Sequence, residues 1–360
     1  MELLFQLLQD NKKSVACGYR HSFLISTKGQ LYTTGHNYSG QLGLDDCKDR
    51  SEWTSHPLPS IKTVVCGSCH SFLITTQGRL YATGYNNYGQ LGLKDVRDRY
   101  HGEFCYFFSL IKKVACGDHH SFLITTEGKF YATGDNEFGQ LGLKGDKRSL
   151  YWRYCPLPFT VKTVACGAYH SFLLTTQGQL YATGHNGYGQ LGLKDYENRD
   201  EWELCSLPFL IKTVVCGAYY SFLITTEGEL YATGNNYFGQ LGLKDYENRG
   251  QWTLCPLPFS VETVVCGHHH SFLITTQRQL YATGRNHQGQ LGLRDYEYEN
   301  RDQWTLCPLP FPAETVVCGA YHSLLMNSQG QVYATGSNKE GQLGLKDLKD
   351  RDQWTLSFSL

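Results

Sequence analysis

The sequence predicts an all-β protein, a seven-bladed β-propeller of four-stranded antiparallel blades with about 50 residues in each. Three observations carry this. The dipeptide Cys-Gly recurs at Cys17, Cys66, Cys116, Cys166, Cys216, Cys266 and Cys318. The string Gly-Gln-Leu-Gly-Leu recurs seven times, beginning at Gly40, Gly89, Gly139, Gly189, Gly239, Gly289 and Gly341. Between these markers lie short β-branched and aromatic runs separated by turn residues, with no apolar stripe of helical period. A length of 360 residues alone suggests two domains. The repeat replaces that with a single disc over residues 1–360, its blades starting near 15, 64, 114, 164, 214, 264 and 316.

Each unit reads in the same order. In the second, residues 63–66 form a short apolar strand A, and 70–76 a β-branched and aromatic strand B. Gln77-Gly78 then makes a two-residue hairpin turn, because glycine tolerates positive φ. Residues 79–83 form strand C, and strand D follows a long polar loop at 104–108, or 252–258 in the fifth unit. Its prolines suggest an outer edge strand. The six tryptophans precede strand D at the blade rims. Residues 1–10 and 354–360 both sit in the register of strand D and compete to close the seventh blade.

Composition narrows the function. Lys plus Arg is 32 against 33 for Asp plus Glu, so no broad polyanion-binding surface and no nucleic-acid partner is expected. No apolar run is long enough to cross a membrane as a helix. The first ten residues lack a basic n-region, which points to an intracellular protein of the cytoplasm or nucleus. Twelve of the 14 cysteines are repeat positions, read as free, small, buried hydrophobes in a reducing compartment. After Cys-Gly-x-x stands His21, His70, His120, His170, His270 or His322, and once Tyr220. This His-Ser pair is expected to bond neighbouring backbone, since seven separated sites cannot share one ion. Cys66 and Cys69 form a lone CxxC, and His268 to His270 a run of exposed neutral histidines; no metal and no cofactor is expected. Arg278 replaces the glycine of the B–C hairpin found at Gly29, Gly78, Gly128, Gly178, Gly228 and Gly330. A positive φ there would strain it by roughly 1–2 kcal/mol.

Function is expected where the copies differ. The A–B loops contribute Tyr19, Arg20, Asp118, His119, Tyr169, Tyr219, His268, His269 and Tyr321, and the C–D loops Tyr85, His185 and Arg285. In a meander both loops emerge on one side, so these twelve form a candidate partner-binding face, rich in the residue types that supply interface energy. Tyr88, Phe138, Tyr188 and Phe238 read equally as face residues or as packing between adjacent blades. The charged stretches 194–200, 244–249 and 294–302 read as solvated loop or as a polar rim. No nucleophile–base pair, phosphate-cradling loop or paired carboxylates recur, so no enzyme is expected, and a monomer is.

The signatures Cys-Gly-x-x-His-Ser, Gly-Gln-Leu-Tyr-Ala-Thr-Gly and Gly-x-Asn-x-x-Gly-Gln-Leu-Gly-Leu resemble the regulator of chromosome condensation repeat family over nearly the whole chain. The resemblance implies a seven-bladed propeller and a protein partner. The founding member is a guanine-nucleotide exchange factor for the GTPase Ran, and other members carry the repeats beside a HECT-type ubiquitin ligase. A small GTPase and a ubiquitin-pathway protein are thus the implied partner classes. Exchange in the family depends on an A–B loop carboxylate, an A–B loop histidine and a protruding β-wedge. Asp118, followed by His119, matches the position of the carboxylate and His269 that of the histidine, while no repeat is long enough for the wedge. The family's tryptophan before the glycine of strand C is here Thr34, Thr83, Thr133 and their counterparts. Three readings stay open: an interaction scaffold, an exchange factor for a Ran-like GTPase, and a near-consensus or designed repeat scaffold without a ligand.

Overall fold

The computed structural model describes residues 13–58, 60–107, 109–294 and 299–359. These form seven four-stranded antiparallel sheets, each a simple A-B-C-D meander cut from one continuous stretch of chain. In blade 2, strand A is Ile61–Cys66, B is His70–Thr75, C is Leu80–Gly84 and D is Arg99–Cys105. Strand B is buried along nearly its whole length because blades cover both of its faces. The core therefore lies between blades rather than within them. Phe72, Ile74, Leu80 and Leu91 of blade 2 pack on Val114, Cys116 and Leu123 of blade 3. Phe72 is fully enclosed, and burial of such a ring stabilises by about 2–3 kcal/mol.

Strand D lies earlier than the sequence suggested. In blade 5 it is Arg249–Leu254, and Pro256 and Pro258 follow it in the connection to the next blade. The prolines end the ladder because they lack an N–H; they do not ride its edge. The tryptophans consequently sit inside strand D. Trp152, on strand D of blade 3, packs on Phe72 of blade 2 at 5.6 Å between ring centroids. Trp202 makes the same contact with Phe122 at 5.8 Å. Each indole thus bolts one blade to the one before it. The B–C hairpin also differs. Gly78 N donates to Thr75 O and Thr75 N to Arg79 O, both at 2.9 Å. This is a three-residue loop ending in a left-handed residue. Arg278 occupies that position at φ +64° and reaches Glu262 at 3.4 Å.

The histidine ring is a latch, and its acceptor is not local backbone. His21 Nε2 lies 2.9 Å from Ser71 Oγ of the next blade. Ser71 Oγ–H donates to Gln41 O at 3.0 Å, so the His21 Nε2–H donates to Ser71, which assigns the tautomer. The same bond joins His70 to Ser121, His120 to Ser171, His170 to Ser221, His270 to Ser323 and, closing the circle, His322 to Ser22. In blade 5 the Tyr220 hydroxyl donates to His270 O at 2.6 Å and stands 3.0 Å from Ser271 Oγ. It reaches the same serine, which is why tyrosine substitutes. Burial pushes the histidines down to about 3, so they are neutral. Each ring covers the preceding Cys-Gly glycine; a Cβ at Gly67 would collide with His70.

Threonine in place of the family's tryptophan completes the seam. Thr133 Oγ1 donates to Gly89 O of the preceding blade at 2.8 Å. Gly-Gln-Leu-Gly-Leu is therefore a docking strip, its glycine and glutamine carbonyls accepting from the next blade's Thr and Ser. Blade 7 meets blade 1 identically, with Thr34 Oγ1 donating to Gly341 O at 2.8 Å. Strand D of blade 7, Arg351–Phe358, pairs with strand C of its own blade, Val332–Gly336. The competing segment, 1–10, lies outside the described residues.

The seven cysteines of Cys-Gly line a central channel rather than a closed core. A cavity of about 110 Å³ opens at its loop-face mouth and one of about 230 Å³ lies below. Burial raises the Cys17 thiol to about 12 and Cys116 likewise, so the channel holds thiols, not reactive thiolates. All fourteen cysteines are free, and the five that end or directly follow strand D, Cys105, Cys155, Cys205, Cys255 and Cys307, are enclosed in the inter-blade cores.

Candidate functional site

The latch places the A–B loop of every blade at the channel mouth, with the C–D loops outside it. The twelve variable residues come together there as two aromatic arcs. In the first, His119 stacks on Tyr88 at 4.7 Å and lies 5.9 Å from Tyr85. Tyr169 packs edge-on to Phe138 at 5.4 Å, and His185 packs on the same ring at 5.0 Å. Tyr169 and Tyr219 are 6.0 Å apart, and Tyr188 stands 5.4 Å from Tyr219. In the second arc, Tyr19 packs on His268 at 4.9 Å and donates from its hydroxyl to that of Tyr321 at 3.1 Å. His269 lies 5.0 Å from Phe238. Arg285 sits over Phe238 at 5.2 Å and over Tyr321 at 5.3 Å. Arg20 lies over Tyr19 and pairs with Glu340 at 3.0 Å.

Tyr88, Phe138, Tyr188 and Phe238 satisfy both of their readings at once. Each packs on an A–B residue of the next blade and belongs to the face. The run His268 to His270 differs from expectation, since none of the three is exposed. His270 belongs to the latch. Burial pushes His269 down to about 3. His268 crosses the channel mouth, its Nε2 3.5 Å from Asp118 Oδ2 on blade 3. Burial would raise the Asp118 carboxyl, but the adjacent His268 imidazole outweighs it and holds the group below its ordinary value. The resemblance matched Asp118 and His269 to separate loop positions; the histidine that stands beside Asp118 is His268. Among the described residues no cluster of three His, Cys, Asp or Glu is placed to hold a metal.

The charged C–D stretches are braced. Asn86 Oδ1 accepts from Leu91 N at 2.9 Å and its Nδ2 donates to Asp95 O at 2.9 Å. Arg99 then pairs with Asp95 at 2.7 Å. Four further blades repeat the Arg–Asp pair, at Arg50, Arg199, Arg249 and Arg351. These braces hold the loops that carry Tyr85 and His185. Residues 295–298 of the sixth such loop lie outside the described residues. Sequence reasoning missed the braces, although the spacing from Asn86 to Asp95 to Arg99 repeats at Asn186, Asp195 and Arg199.

Comparison with known proteins places this architecture. A family model described as RCC1-like domain matches residues 108–357. Regulator of chromosome condensation (RCC1) repeat models match 13–41 and 61–90, and 28–74 and 77–124. The X-linked retinitis pigmentosa GTPase regulators of Mus musculus and Homo sapiens are 49% and 44% identical over 43 and 50 residues. These stretches are 12% and 14% of this chain, and 4% and 5% of the length of those relatives. The crystal structure of human WBSCR16 superposes with a TM-score of 0.82 at 19% identity, over 92% of this chain and 94% of that one. Prp20p from Saccharomyces cerevisiae gives 0.80 at 22% identity, over 91% and 85%. These structural likenesses speak for the fold, and no helix among the described residues is long and apolar enough to cross a membrane. With seven latched copies of one repeat and a family model covering most of its length, the chain belongs to the RCC1-like domain family.

Proposed function

We propose that this protein is a non-enzymatic interaction scaffold that binds one protein partner through the face formed by its A–B and C–D loops. The observation that carries this is the concentration of the variable positions of seven near-identical blades into one aromatic, charge-bearing surface. Residues repeated in all copies serve the latch, the docking strip, the inter-blade core, the channel lining or the loop braces. The face residues vary between copies without such a task, and eleven of the twelve are Tyr, His or Arg, of which Tyr and Arg are enriched at interface anchors. The test is affinity purification with Tyr169, Tyr219 and Tyr321 each changed to Ala. Loss of the partner supports the face; an unchanged set of partners removes it. Absence of any reproducible partner would favour a scaffold without a ligand.

A second reading is exchange on a small GTPase. It is favoured by Asp118, held ionised by His268 at the channel mouth. The similar relatives are named GTPase regulators, and Prp20p is described by its binding properties to Gsp1p and histones. Nucleotide release from a candidate GTPase, measured beside Asp118→Ala, decides it. Release that is absent, or unaffected by the substitution, excludes this reading and leaves the scaffold.

A further inference from the structure

Beside the second arc, between the loops of blades 6, 7 and 1, lies a cavity of about 240 Å³. Arg20, Arg285 and Lys339 line it, together with Ser337 and Glu340. Glu340 is engaged by Arg20 at 3.0 Å. Among the described residues no carboxylate pairs with Arg285 or Lys339, so the pocket carries two uncompensated positive charges. Arg285 is the informative one. Phe238 and Tyr321 hold its guanidinium at 5.2 and 5.3 Å, and its buried Nε has no hydrogen-bond partner. A buried donor left unmade costs about 1–3 kcal/mol. A guanidinium oriented by two rings, with an edge unsatisfied, is a ready-made fork for a planar oxyanion. The charge on the face is also lopsided. Asp118, Asp135 and Glu137 all belong to blade 3, on the far side of the mouth.

We propose that this pocket is a carboxylate receptor, taking an Asp or Glu side chain from an acidic segment of the protein partner; this deepens, and rests on, the loop-face reading. The partner docks with its acidic end over blades 6, 7 and 1 and a basic or neutral end over blade 3. A phosphoryl group is the other source of the same oxyanion chemistry, and the peptides below distinguish the two.

The test uses the full chain and a fluorescein-labelled peptide of alternating Glu and Gly, read by anisotropy at low salt. Matching peptides carry Gln or phosphoserine in place of Glu. The Glu peptide is expected to bind at least tenfold more tightly than the Gln peptide. Arg285→Gln should lose at least tenfold. Lys339→Gln, at an exposed position that cannot disturb packing, should lose about threefold, and Lys212→Gln, on strand A of blade 5 at the end away from the loop face, should lose nothing. Wild-type affinity in Arg285→Gln, equal loss in Lys212→Gln, or a phosphoserine peptide binding tenfold more tightly than the Glu peptide would each overturn the proposal. The two levels separate cleanly. If Tyr169→Ala and Tyr219→Ala abolish partner capture while Arg285→Gln spares it, the pocket fails and the face stands. If the tyrosines are dispensable, the face itself fails.

Discussion

The inner latch and the outer loop face are made from adjacent residues and obey opposite rules. His120 and His119 are neighbours in sequence. His120 is fully buried, neutral and hydrogen-bonded to Ser171 of the next blade. His119 lies flat against Tyr88 on the face. The first position is histidine in six copies and tyrosine in one; the second is tyrosine in three, histidine in two, and arginine and cysteine in one each. Sameness here is the signature of a contact every blade must make with its successor. Difference is confined to the side that no blade needs for assembly.

Four measurements break or sharpen this contrast. The largest effect is collective. The latch histidines titrate near 3 when folded against an ordinary 6.5, so the unfolded chain binds more protons between those values. Their contribution is complete above about pH 6.5 and is lost progressively as pH falls towards 3. Melting temperature should hold between pH 7 and 8 and fall steadily below 6.5, and His170→Tyr, copying blade 5, should flatten that fall. A flat profile down to pH 5 would mean that the latch accepts protons while folded. Next, His120→Ala removes one latch, leaves the Ser171 hydroxyl with only its bond to Gln140 O, and opens a cavity. A loss of about 3 kcal/mol is expected in denaturant unfolding, and a loss under 1 kcal/mol would contradict the latch. On the other side of the contrast, Tyr169→Ala should weaken partner binding by tenfold or more, within the range of interface anchors. It should cost about 1 kcal/mol of stability through the ring contacts it removes. A variant that unfolds but still binds when folded would reverse the assignment. Smallest is Arg278→Gly. Relief of the left-handed φ is offset by loss of the Glu262 contact, leaving a gain of about 1 kcal/mol or less. A lowered melting temperature would show the ion pair to be the stronger term.

The architecture was legible because seven internal copies act as their own comparison. The strand order, the hairpin glycines and the loop face follow from periodicity and from where it fails. What stayed hidden was any partner some fifty residues away. A His-Ser dipeptide looks self-sufficient, and nothing local in the sequence says that His21 reaches Ser71. Strand D was misplaced because proline marks both an edge strand and the end of one. Here Pro256 and Pro258 do the latter, which moves Trp252 from the rim into the strand and onto Phe172 at 5.7 Å. At the site, the twelve face residues could be named, but their pairing could not. His268 rather than His269 meets Asp118 because the extended loop turns one of two neighbouring side chains into the mouth and the other under Phe238.

The join between blades 7 and 1 uses devices found at the other joins: the His322–Ser22 latch, the Thr34–Gly341 strip and the Trp53 indole, which here donates to Ser357 at 2.9 Å. Among the described residues no blade is stitched from two distant pieces of chain. The disc therefore has no privileged beginning. A gene cut in any D-to-A connection and rejoined by linking the described ends, where Lys13 already reaches Gly330 O at 2.8 Å, would encode the same ring. Such a circular permutant carries its face to the partner with the blades renumbered and the contacts unchanged.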